Sequence, residues 1–243
     1  MCCTMNDQGV EVETGTGQGR RGFTLLEVLL AVTILSVVAT VTFMTFSAAT
    51  SAWQRGTALM DRIHHGDFVI NQLVMALRSA YYPEGQGELP AYGFQQVDNG
   101  NGPGAQDEIS WVKLGGAMVG RDLAYAESPH RVRFFLAGNE AGRLSAAVVS
   151  WRIDGQPEDF DPDELEPVFL SSRVQGFNCR TAWMLNDAGE IEWEDEWTQT
   201  NRLPLAVEVT LYVEPVEPDL PPVELKRIVG LATAGQDWSK PSE

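Results

Sequence analysis

The sequence predicts an α+β protein, with one long N-terminal helix, transmembrane in its first half and amphipathic in its second, packed on a mainly antiparallel β-sheet domain. Three observations predict it. The 24 residues from Phe23 to Phe46 carry one charge, Glu27. Beyond them, Leu59, Ile63, Gly66, Ile70, Leu73 and Leu77 step by 4, 3, 4, 3 and 4, which places them on a single helical face, with Asp61, Arg62, Asp67 and Arg78 off it. After Pro83 the pattern changes to short β-branched and aromatic runs separated by glycine, proline and acidic loops.

Taken in order, residues 1–21 are polar and glycine-rich, and offer nothing to pack before the basic pair Arg20-Arg21. A helix over Phe23–Phe46 would reach about 36 Å at about 1.5 Å per residue. That is enough for the roughly 30 Å of a hydrocarbon core with some tilt. An ordinary secretory signal cleaves after its apolar stretch. Here Arg20, Arg21 and Gly22 precede it, so a cut at Gly22 leaves the helix on the protein. Arg20 and Arg21 also set the topology, holding the N-terminus in the cytoplasm. No proline interrupts residues 23–82, which predicts one helix from about Phe23 to Ala80, ended by Pro83 and the glycine-rich run to Gly87. The organisation expected is a leader over 1–22, a transmembrane half-helix over 23–46, an amphipathic half-helix over 47–80 and a β-rich domain over 81–243.

Within that domain, His130–Leu136 and Ala146–Ile153 flank a Gly138–Gly142 turn, a hairpin signal. Further strands are expected at Glu108–Leu114, Val168–Val174, Thr181–Leu185, Ala206–Val213 and Leu225–Leu231. Ala206–Val213 alternates, with one apolar and one mixed face.

Charge narrows the function classes. With 34 acidic and 17 basic residues the net charge is −17. Such a surface repels phosphate backbones, so no nucleic-acid partner is expected. Cys2, Cys3 and Cys179 match no zinc spacing, and cleavage at Gly22 would leave Cys179 alone, read as a buried small apolar side chain. Asp159, Asp161 and Asp163 alternate like the start of a calcium loop. However, Pro162 intervenes, Glu164 stands where the turn needs glycine, and Leu170 stands where the closing glutamate belongs. These three are a candidate weak cation loop, with a solvated acidic loop the better reading. Glu192, Glu194, Asp195 and Glu196 read as a charged surface around Trp193 and Trp197. His64, His65 and His130 belong to no nucleophile or metal motif, and no phosphate-binding glycine loop appears, so neither catalysis nor a cofactor is expected.

The stretch Gly22-Phe23-Thr24-Leu25-Leu26-Glu27-Val28, behind a basic pair and ahead of an apolar run, resembles the type IV pilins and the pseudopilins of type II secretion. That resemblance implies a pilin-like fold. It also implies cleavage between Gly22 and Phe23 by a membrane prepilin peptidase, and methylation of the new Phe23 amine. In that family the glutamate matching Glu27 pairs with the N-terminal amine of a neighbouring subunit. This would account for keeping a carboxylate, which costs about 2.5–3.5 kcal/mol at the centre of a bilayer and less where Glu27 stands, one helical turn from Phe23 and close to the interface. Trp197 and the stretch Asn201–Leu211 ("NRLPLAVEVTL"), with Trp151 and the helix around Phe68–Tyr82, are similar to the J-type minor pseudopilins. The acidic loops Glu158–Glu166 and Glu190–Glu196 depart from that pattern. The implied partners are the I-type and K-type minor pseudopilins, the major pseudopilin and the inner membrane, with the globular domain in the periplasm. A minor type IV pilin that primes a pilus would share the leader and Glu27. A competence pilin fits the acidic surface poorly. A membrane-anchored periplasmic enzyme with a similar leader is the reading from a different class.

Overall fold

The computed structural model describes residues 22–83, 89–120, 122–182, 191–215, 217 and 219–231. Arg20 and Arg21, the glycine-rich run through Gly87, the far end of the expected strand Thr181–Leu185, and Glu190 lie outside the described residues. One α-helix, α1 (Leu25–Arg78), precedes the strands β1 (Gln95–Val97), β2 (Glu108–Lys113), β3 (His130–Gly138), β4 (Leu144–Arg152), β5 (Val168–Ser171), β6 (Val174–Ala182), β7 (Ala206–Val213) and β8 (Val223–Gly230). The fold is α+β, with every strand pairing antiparallel.

The chain divides into two compact units, Met1–Ala52 and Trp53–Glu243. In the first, every residue from Gly22 to Thr50 is exposed. The part of α1 within it is apolar all round, as suits a helix that meets lipid on every side. Six of its hydroxyls are satisfied within the helix. Ser36, Thr40, Thr42 and Thr45 each donate to the carbonyl four residues back at 2.8 Å. Such bonding lets polar side chains sit in a segment where water is absent.

In the second unit α1 becomes one-sided. Val69, Ile70, Leu73, Ala76 and Leu77 are fully buried, whereas Leu59 is 38% exposed and Ile63 half-buried. The expected stripe therefore works as core only from Gly66 onward. The reason is visible at Gly66, where a Cβ would sit 2.5 Å from Val213 Cγ2 and 2.6 Å from Leu225 Cδ1. Glycine lets β7 and β8 reach the helix axis there. Farther along, the Trp111 indole of β2 donates to the Ala76 carbonyl at 3.1 Å, and Ala80 bridges to Lys113. Each large apolar side chain buried on this face contributes about 1.5–3 kcal/mol.

The single sheet expected from the sequence is two sheets, β1-β2-β3-β4-β5 and β6-β7-β8. The run Val168–Val174, read as one strand, is cut after Ser171, and the chain crosses from the first sheet to the second. At the crossing, Arg173 donates through its N–H to Ser171 Oγ at 3.1 Å and pairs with Glu214 at 2.8 Å. Cross-sheet contacts tie the two layers. The Phe177 N–H donates to the Ala105 carbonyl (2.9 Å), the Asp107 N–H donates to the Phe177 carbonyl (3.0 Å), and the Phe134 and Phe177 rings meet edge to face at 4.8 Å.

Candidate functional site

The site singled out by the sequence is the start of α1. Thr24 precedes the first helical residue and caps it. The Glu27 N–H donates to Thr24 Oγ1 (3.3 Å) and to the Thr24 carbonyl (3.0 Å), and the Val28 N–H reaches the same carbonyl at 3.2 Å. The Thr-Leu-Leu-Glu spacing is that of a capping box, which explains why the helix begins at Leu25 rather than at Phe23. Sequence reasoning passed over Thr24. The signal that finds it is the threonine three residues before a glutamate, ahead of an apolar run. Gly22, Phe23 (82% exposed) and Glu27 all face outward. Among the described residues the Glu27 carboxylate has no cationic partner. It lies in the first helical turn, where the helix dipole favours a negative charge. An exposed apolar residue beside an unpaired carboxylate can meet an amine from another molecule at no cost in broken contacts.

The residues resembling a J-type subunit form part of the core of the second unit. Trp197 is 3% exposed, and Phe94 meets its ring edge to face at 6.4 Å while stacking against Trp111 on the other side. Leu203 is fully buried, and the Phe94 N–H donates to the Arg202 carbonyl at 2.9 Å. Trp197 is therefore core, not the centre of a charged surface as read from sequence. Around it, Glu194 pairs through its backbone with Thr181, and Asp195 accepts from Arg180 at 2.8 Å. Cys179 is buried, and burial pushes its thiol pKa well up.

Two carboxylates of the acidic loop 158–166 are engaged locally. Asp161 caps the short 3-10 turn Pro162–Glu164 by accepting from the Asp163 N–H at 2.9 Å, and Asp163 pairs with Arg133, which Glu108 also approaches at 3.5 Å. Asp159 is exposed. Among the described residues no group of three or more His, Cys, Asp or Glu side chains is placed to hold a metal ion. His64 and His65 are exposed on α1.

Four of the buried titratable groups gave no sequence signal of their partners, because nothing in a local pattern reveals what a charged residue will face. Asp107 accepts from the backbone of Asn99 (2.9 Å) and of Cys179 (2.7 Å), joining the sheets, with burial raising its pKa. Arg131 donates to Ser110 Oγ (3.0 Å) and to the carbonyls of Ala91 and Gly93 (both 2.9 Å), and burial lowers its pKa to about 10. Lys113 and His130 are both fully buried, and Lys113 is pushed down to about 8 by burial.

The family model described as the prokaryotic N-terminal methylation motif matches residues 17–43, the segment that holds Gly22, Phe23, Thr24 and Glu27. No curated protein sequence matches the chain. In structure the chain is similar to a chain of the GspK-GspI-GspJ complex from the type 2 secretion system of enterotoxigenic Escherichia coli. The identity is 14%, the TM-score is 0.38, and the match covers 70% of this chain and 96% of that one. Among the described residues one helix, α1, is long and apolar enough to cross a membrane by length and composition.

Proposed function

We propose that this chain is a minor pseudopilin of a type II secretion system. It is anchored in the bacterial inner membrane by residues 23–46, with its globular domain in the periplasm. The observation that carries this reading is the methylation-motif match over residues 17–43, with Glu27 exposed, capped at its backbone by Thr24 and unpaired at its carboxylate. Prepilin peptidase would cut between Gly22 and Phe23 and leave an N-methylated Phe23 amine, with Arg20 and Arg21 on the cytoplasmic side. In a low-dielectric bilayer, the amine of one subunit and the Glu27 carboxylate of the next neutralise each other, and each removes the desolvation penalty of its partner. The chemistry is assembly and not catalysis: the chain supplies binding energy and shape, and the work of export comes from elsewhere. The similarity of Trp197 and Asn201–Leu211 to J-type subunits supports a place with I-type and K-type minor pseudopilins at the tip of the filament, above the major pseudopilin.

The test deletes the gene, measures exoproteins in the culture supernatant and scores surface pili on the same cells. Lost secretion with pili intact, restored by the wild-type gene but not by Glu27→Val, is the expected result. Normal secretion with lost pili would make the chain a pilus-priming minor pilin instead. Full function from an uncleaved Gly22→Ala variant would remove it from this class of assembly.

A further inference from the structure

We propose that Lys113 and His130 form a pH-sensitive clasp on residues 114–120 and 122–129, the described parts of the excursion between β2 and β3. The two residues face each other at the last rung of the β2–β3 ladder, and both side chains are fully buried. Each holds one end of the excursion. Lys113 Nζ donates to the Gly115 carbonyl, and His130 Nδ1 lies 2.8 Å from the Ser128 carbonyl. A carbonyl can only accept, so Nδ1 carries the proton, and the neutral ring turns the lone pair of Nε2 toward Lys113 Nζ at 3.4 Å. The lysine donates, the histidine accepts, and the pair links the two ends of the loop beside the Gly115 N–H, which donates to the Ala126 carbonyl at 2.7 Å.

Protonation of the ring converts that acceptor into a second donor. Two cations then stand 3.4 Å apart out of water, with no hydrogen bond between them. The surroundings offer little relief. Glu127, on the excursion itself, is the carboxylate that acts on Lys113, and Tyr125 presents an edge to the imidazole at 5.7 Å. On β4 the register partner of His130 is the exposed, cationic Arg152, and the last turn of α1 carries the exposed Arg78. Burial above all holds the imidazole pKa below its ordinary 6.5; the bond to the Ser128 carbonyl works against it and Lys113 adds to it. As pH falls below about 6.5, an opened excursion therefore binds a proton that the closed one refuses, and closure weakens down to the lower folded value.

The excursion also forms a wall of a groove of about 490 Å³, in which Gly116, Ala117 and Met118 face Phe68 and Met75 of α1. Met118 holds a left-handed backbone (φ 68°), and its N–H donates to Gln72 Oε1 at 3.1 Å. Opening the clasp loosens that wall, so acid would alter a groove that α1, the excursion and Leu170 of β5 line together.

Hydrogen exchange followed by mass spectrometry on the full chain in detergent micelles, from pH 7.5 to 5.0 and corrected for intrinsic rates, tests this. Exchange across 114–129 is expected to rise by up to about tenfold per pH unit below 6.5, while peptides from β4 stay unchanged. His130→Gln, uncharged at every pH, is expected to abolish the rise. A flat wild-type profile, or the same rise in His130→Gln, overturns the proposal. If that variant does not fold, Lys113→Met decides: a diminished rise supports the clasp and an undiminished one overturns it.

Discussion

The two halves of α1 belong to one helix and are opposite in use. From Leu25 to Thr50 every side chain is exposed and the apolar residues fall on all sides. From Gly66 to Leu77 one face is fully buried against strands and the other carries charge. What separates them is arrangement: a helix apolar all round gains nothing from a protein neighbour that lipid does not offer, whereas a stripe must find a sheet. Three measurements would break or sharpen the contrast. All use urea unfolding of the detergent-solubilised chain, followed by the fluorescence of the buried Trp111 and Trp197.

The largest difference is expected from one substitution made in each half. Leu73→Ala removes a fully buried side chain and should lower domain stability by about 2–5 kcal/mol. Leu35→Ala, at a residue 68% exposed, should leave it within about 0.5 kcal/mol. Equal losses would mean that the first half is also packed on protein.

A smaller effect compares two glycines of the second unit. Gly66→Leu forces a side chain against Val213 and Leu225 and should cost about 1–3 kcal/mol. At Gly56 a Cβ meets open space, so Gly56→Ala should gain about 0.5–1 kcal/mol of helix propensity. Loss at both would place a neighbour against Gly56.

The smallest effect is electrostatic and belongs to the second half's sheet contact alone. Lys113 is pushed from 10.5 to about 8 by burial, so between those values the unfolded chain binds a proton that the folded chain does not. In a Cys179→Ala background, which removes the opposing ionisation of that buried thiol on unfolding, stability should therefore rise with pH from about 8 to 9.5, by at most about 1.4 kcal/mol per unit, and Lys113→Met should flatten the rise. The range stops short of 10 because Tyr92 and Tyr212, whose pKa values burial raises, oppose the trend once unfolded tyrosine ionises.

Strand positions were largely legible, because alternation is a property of neighbours in sequence. Glu108–Leu114, His130–Leu136 and Ala206–Val213 coincide with β2, β3 and β7 to within two residues. The three-residue β1 escaped, being too short for a period to register, and β6, expected at Thr181–Leu185, begins at Val174. β7 shows the limit of pattern reading. Its mixed face, with Glu208 and Thr210, is buried rather than open to water. Glu208 is tolerated there because Lys226 (2.9 Å) and Arg180 (3.6 Å) come from the strands on either side. Of the candidate site, Phe23 and Glu27 were legible and Thr24 was overlooked, although its capping-box spacing lies in the same seven residues.

By itself the sequence determined the elements whose causes are local: an apolar helix start with one carboxylate, a stripe at helical period, and alternating strands bounded by turns. Only the tertiary structure decided where the apolar run Val168–Val174 breaks, that the strands form two sheets, how far the stripe is buried, and which charges meet inside. Those outcomes depend on which segment lies opposite another across long stretches of chain. The free energy of such a pairing comes from burial and partner geometry that no residue carries alone.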